Sequence, residues 1–146
     1  MPSAAPGGPY PAYTAAGQAA LNNGLLMIAG SSSARPQVGA PANSPTIMSV
    51  GFVDATLTPS EFSPSGKIDI AAPGRDIFSA WSRPIRYRTT ISGLATASAH
   101  VAGCAALWAQ QSADLRGMNL WNALQRSAKA LPFPASRVGA GLVQAP

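Results

Sequence analysis

Three stretches of this chain are mostly apolar: Leu25-Leu26-Met27-Ile28-Ala29, Thr46-Ile47-Met48-Ser49-Val50-Gly51-Phe52-Val53 and Lys67-Ile68-Asp69-Ile70-Ala71-Ala72, the last with Lys67 and Asp69 near its start and closed by Pro73-Gly74. A strand without polar alternation is covered on both faces, which is the situation of a parallel sheet lined by helices. Helical patterns separate these runs. Residues 12–22 read as a helix stopped by Asn23-Gly24, a left-handed cap signal. Residues 95–111 read as a second helix, and Met118, Trp121, Leu124 and Ala128 mark the apolar stripe of a third at three- and four-residue spacing. A loop rich in Ser, Pro and Gly is expected over 31–45, with shorter extended pieces over 77–81 and 87–91. The alternation of strand and helix predicts an α/β fold.

Composition narrows the functional classes. At 146 residues the chain is one domain or part of one. With 47% hydrophobic and only 10% charged residues, it has the makings of a packed core rather than a disordered tail. The net charge of +5 comes from ten Lys and Arg set against five acids. No dense basic run appears among them, so no nucleic-acid partner is expected. The interleaved Trp81-Ser82-Arg83-Pro84-Ile85-Arg86-Tyr87-Arg88 reads as a solvated hairpin rather than a phosphate contact. The single Cys104 excludes an internal disulfide and reads as a small apolar residue on a helix face. Met1-Pro2-Ser3-Ala4-Ala5-Pro6 has neither the basic start nor the apolar run of a targeting signal. No stretch approaches the ~18 apolar residues of a membrane span, so the chain is expected to be soluble, with no membrane partner. No zinc-spaced Cys/His cluster and no glycine-rich phosphate loop is present, and no cofactor is evident.

The segment Ser92-Gly93-Leu94-Ala95-Thr96-Ala97-Ser98-Ala99-His100-Val101-Ala102-Gly103 resembles the nucleophile motif of the subtilisin-like serine proteases (subtilases), S/N-G-T-S-M-A-T/S-P-H-V-A-G. Further blocks follow that family's order. Gly7-Gly8-Pro9 resembles the end of its S-L-G-G-P strand, whose edge binds extended substrate. Leu25-Leu26-Met27-Ile28-Ala29-Gly30 resembles V-V-V-A-A-G, which lines the pocket for the residue before the scissile bond. Pro45-Thr46-Ile47-Met48-Ser49-Val50-Gly51 resembles P-S-V-I-A-V-G, and Phe62-Ser63 the close of A-S-F-S. The run from Ile68 to Gly74 resembles L-D-V-M-A-P-G, and that from Arg137 to Val143 resembles Y-G-x-G-L-I-N. The resemblance implies a subtilisin-like parallel sheet flanked by helices, of which this chain carries the second half only: a lead over residues 1–9 and a partial catalytic domain over 10–146.

The departures from the pattern bear directly on function. Ala95 occupies the position of the family's nucleophilic serine, and a methyl group cannot attack a carbonyl. Ser31 follows Ala29-Gly30 where the family has its oxyanion asparagine. Leu94 and Ala99 replace a threonine and a proline around the nucleophile. The blocks D-T-G and H-G-T-H-V-A-G, which carry the family's acid and base, are not in this sequence. The one histidine, His100, matches the structural histidine of H-V-A-G and reads as a packed, hydrogen-bonded helix residue.

Two readings of Ala95 are open. One is a natural pseudoprotease, a noncatalytic peptide-binding or scaffolding protein whose groove uses Gly7, Gly8, Ala29, Gly30, Gly93 and the amide of Ala95. The other is the C-terminal part of a serine endopeptidase with its nucleophile replaced and its Asp/His half missing or on another chain. The resemblance alone also suggests calcium, without defining ligands. A central parallel strand left as an open apolar edge is an aggregation hazard. A second protein chain, a copy of this chain or the N-terminal residues 1–13 are therefore expected to cover it.

Overall fold

The computed structural model describes residues 8–30, 37–80 and 89–146. In chain order the elements are α1 (Pro11–Asn22), β1 (Ile28–Gly30), β2 (Met48–Val53), β3 (Ile70–Pro73), β4 (Ile77–Ser79), β5 (Thr89–Ile91), α2 (Leu94–Gln111), α3 (Gly117–Ser127) and α4 (Ala135–Val138). The first three strands form a parallel sheet in the order β1-β2-β3, with Ile28 opposite Met48 and Val50 opposite Ile70. Strands β4 and β5 make a separate antiparallel pair. The chain has the expected α/β architecture, a parallel sheet flanked by helices.

Strand β2 is the centre of this arrangement, and all six of its residues are buried. Met48, Val50 and Phe52 join Ile70 and Ala72 in a core shared with Leu94, Ala97, Val101 and Ala105 of α2, which lies across all three strands. Those four α2 positions follow the three- and four-residue spacing of one helix face. Val53 and Ala71 point the other way, onto Val138 of α4. Each large aliphatic side chain buried in this way contributes about 1.5–3 kcal/mol.

Three expectations are corrected. Residues 25–27 do not extend β1. Helix α1 ends in a glycine cap, Gly24 at φ 75°, in which the Gly24 N–H donates to Leu21 O (3.1 Å) and the Leu25 N–H to Ala20 O (2.9 Å). The cap holds the Leu25 backbone on the helix, and its side chain is 63% exposed. Strand β1 is therefore three half-buried residues, and no strand lies on its outer edge among those described.

Strand β3 begins at Ile70 rather than Lys67 and runs through Pro73. Lys67 and Asp69 instead form a polar knot at its start. Lys67 Nζ lies 2.6 Å from Asp69 Oδ2, donates also to Ile47 O, and sits 5.2 Å from the centre of the Trp121 ring. Asp69 Oδ2 accepts from the Ser49 N–H (2.7 Å) and Oγ (3.0 Å). Desolvation pushes the Lys67 pKa below the ordinary lysine value, against the opposing pull of Asp69.

In α3, Trp121 and Leu124 are buried as expected, but Met118 is 47% exposed, and Gly117, Leu120 and Ala123 complete the inner face. The buried stripe runs through 117, 120, 121, 123 and 124, which leaves Met118 off it, while Ala128 lies just past the helix as its C-cap and packs half-buried against the main core. The expected hairpin over 81–88 lies outside the described residues. Among the described residues no helix is long and apolar enough to cross a membrane.

The outward side of α2 carries Ala99, Ala102, Gly103, Ala106 and Leu107, all exposed. A Cβ built on Gly103 meets nothing within 4 Å. Gly103→Ala is accordingly expected to stabilise the chain by ~0.8–1 kcal/mol, the helix-propensity difference alone. A urea midpoint that stays put or falls would show that this face is covered in solution.

Candidate functional site

The loop after β3 and the turn before α2 are stitched together by backbone geometry. The Gly93 N–H donates to Gly74 O at 2.7 Å, and Thr96 Oγ1 donates to Gly93 O at 2.7 Å with Gly74 O at 3.3 Å. Alongside, the Asp76 N–H donates to Ser92 Oγ (2.9 Å), which in turn donates to Asp76 Oδ1 (3.3 Å). This reciprocal clasp forms with Asp76 at φ 54°, an uncommon conformation that aspartate tolerates better than most residues. The result fixes where α2 begins.

Gly93 is the N-cap of α2, and Ala95 is its second residue, with an exposed methyl. The first amides of a helix have no acceptor within it, and they sit at the positive end of its dipole. No acidic side chain lies in this turn and no side chain caps it. Strand β1 closes against the same turn: a Cβ on Gly30 would stand 2.8 Å from both Leu94 O and Ser98 Oγ. Only a residue without a side chain allows this approach, so the structure brings Ala29-Gly30, Gly93 and Ala95 into one neighbourhood. Gly8 is exposed, with nothing within 4 Å of its Cβ position. Gly7 and Ser31 lie outside the described residues.

Next to this turn is a cavity of about 350 Å³ that the sequence reading missed. Phe52 and Phe62 supply its apolar lining, Arg75 and Asp76 a charged side, and Ser92 and Gly93 the edge shared with α2. The one signal in the sequence is Phe62-Ser63, whose resemblance to a family block does not mark it as a wall. Arg75-Asp76 follows Pro73-Gly74, and nothing local tells that it folds back onto Ser92.

Three further reactive side chains among the described residues have local partners or surroundings. His100 is exposed rather than packed, and its Nδ1–H donates to Thr96 O (2.9 Å) one turn back. Cys104 is half-buried against the main core, and desolvation raises its thiol pKa. Asp54 Oδ1 accepts from Thr56 Oγ1 and from the N–H groups of Thr56 and Thr58, which hold its carboxyl below the usual range. Among the described residues no group of three His, Cys, Asp or Glu is placed to hold a metal ion.

The family model described as the subtilase family matches residues 5–141. Subtilisin BL of Lederbergia lenta is 32% identical over 143 residues, covering 95% of this chain and 52% of its own length. Subtilisin-like protease 2 of Pseudogymnoascus destructans is 38% identical over 104 residues, covering 68% of this chain and 26% of its own. Among solved structures, the prenylagaramide maturation protease PagA superposes with a TM-score of 0.74 at 30% identity, over 87% of this chain and 50% of that one. The chain thus spans between 26% and 52% of the length of these proteins.

Proposed function

The chain belongs to the subtilase family, and from that premise we propose that it is a noncatalytic member, one that binds an extended peptide without cutting it. The observation that carries the reading is Ala95, an exposed methyl on the second residue of α2 in the sequence context of the family nucleophile. Acyl transfer needs a nucleophilic atom there and a base within reach of it. The helix amides, by contrast, need no side chain to accept a peptide carbonyl or carboxylate. Ala29-Gly30 beside that turn offers a strand end on which an extended segment can lie, and the outer edge of β1 is suited to a second protein chain or a copy of this one.

A second reading is supported by the lengths just given. The chain is then one portion of a serine endopeptidase domain whose nucleophile position holds alanine, with acid and base supplied by a further segment or chain. Both readings agree that these residues alone do not hydrolyse peptides.

Purified chain is expected to bind capped peptides without turnover and to take up no fluorophosphonate, as read by mass spectrometry. Covalent labelling anywhere in residues 93–100 would overturn the proposal.

A further inference from the structure

Among the asparagines of the chain only Asn23 is followed by glycine. We infer that this pair is a site of spontaneous deamidation, closed while α1 keeps its cap and converted when that cap opens. The reaction needs no enzyme and consumes one molecule of water. Once the Gly24 N–H has lost its proton to solvent base, the nitrogen attacks Asn23 Cγ, a bond forms between them, and the side-chain amide nitrogen leaves as ammonia. Water then opens the resulting cyclic imide at either carbonyl, giving aspartate or isoaspartate. Glycine favours the attack because no side chain shields its nitrogen and its backbone turns freely.

The folded chain holds the two reacting groups apart. Asn23 is exposed, yet its Nδ2 donates to Ala19 O at 2.8 Å, which lays the side chain back along α1. The Gly24 N–H donates to Leu21 O at 3.1 Å. With Asn23 at ψ 16°, the Gly24 nitrogen lies across the Cα–C bond from Cβ, and ring closure requires a rotation that breaks its hydrogen bond to Leu21. The same rotation carries the Gly24 carbonyl away from the Gly117 N–H, 3.0 Å from it, and so parts α1 from the start of α3. Each hydrogen bond lost lowers the open population by about twofold to tenfold.

Conversion is one-way, and its product opposes reclosure. The last turn of α1 holds no basic side chain, so a carboxylate at residue 23 meets the negative end of the helix dipole without a cation in that turn. A carboxylate also cannot donate to Ala19 O as the amide does. Isoaspartate lengthens the backbone by a methylene and displaces the Leu25 N–H from Ala20 O, 2.9 Å away in the intact cap. The pair thereby marks chains in which the α1–α3 junction has opened.

The test incubates the full chain at mildly alkaline pH, folded and in urea, beside a capped peptide of residues 20–26. Amide-to-acid conversion is followed by peptide-mapping mass spectrometry, and isoaspartate by labelling with an isoaspartyl methyltransferase. Asn23 is expected to convert at least about tenfold more slowly in the folded chain than in urea or in the peptide, the worth of the hydrogen bonds that must open. Asn23→Gln is expected to remove the signal. Asn23→Asp, which matches the aspartate product, is expected to lower the folding equilibrium constant about twofold to fivefold in urea melts. Equal rates in the folded and unfolded chain would show that the cap does not hold Asn23 and would overturn the gating. No conversion in urea while the peptide converts, or faster conversion at another asparagine of the folded chain, would overturn the site. An Asn23→Asp melt equal to the parent's would overturn the effect on reclosure.

Discussion

Ala95→Ser in this chain is expected to leave peptide hydrolysis at background. The substitution returns a hydroxyl to the exposed second residue of α2, where the helix amides favour negative charge. A serine hydroxyl nevertheless needs a base within hydrogen-bond reach to become a nucleophile near neutral pH. The only histidine in the sequence is His100, and its Nδ1 is committed to Thr96 O one turn along the same helix. The endopeptidase reading predicts a different result when the variant is mixed with a segment carrying D-T-G and H-G-T-H-V-A-G blocks. A competent assembly then gains activity by on the order of 10⁴-fold, since positioned base catalysis alone contributes about 10²–10⁴. Initial rates on a fluorogenic peptide, for the variant alone and mixed, separate the two. Robust cleavage by the variant alone would sink the noncatalytic proposal.

Gly139→Ala is expected to come close to unfolding the chain. Gly139 ends α4 at φ 58°, with its N–H on Ala135 O (2.8 Å), and the next residue donates to Asp69 O (3.0 Å). A Cβ there would land on the Asp69 carbonyl and within 2.5 Å of the Ile70 nitrogen, all of it backbone at the start of β3. Backbone in a sheet cannot step aside as a side-chain tip can, so relief requires α4 to leave the sheet, uncovering Val138, Val53 and Ala71. The positive φ adds strain of its own. A loss of roughly 4 kcal/mol or more is expected, a large share of the ~5–15 kcal/mol that holds a domain together. Gly8→Ala, with open space around it, is the control and is expected to shift stability by less than about 0.5 kcal/mol. Urea midpoints of the two variants provide the check. A Gly139→Ala midpoint equal to the parent's would mean that α4 does not pack on β3 as described.

How much of this was legible in advance differs from element to element. The six buried residues of β2 were announced by a run apolar apart from Ser49, because a strand covered on both faces carries no regular polar alternation. Helix α2 and the end of α1 at Asn23-Gly24 were legible for similarly local reasons, periodicity in one case and glycine's access to positive φ in the other. So was the turn that presents Ala95, since its residue order survives in sequence even where its chemistry has changed.

Other features depended on partners distant in the chain. Leu25, Leu26 and Met27 are as apolar as any strand, yet the α1 cap claims the Leu25 N–H before a sheet can. Lys67 and Asp69 read as strand positions until Ser49, Ile47 and Trp121, 18 to 54 positions away in the numbering, assemble around them. The pocket required Phe52, Phe62, Asp76 and Ser92 to converge from four separate stretches. The sequence by itself determined the elements, their order and the alanine at the helix start, because each of these rests on interactions within a few residues. Only the tertiary structure decided which face each element buries, which charges pair and where a cavity is left, because these depend on the closure of long loops and on packing between surfaces that local sequence does not encode.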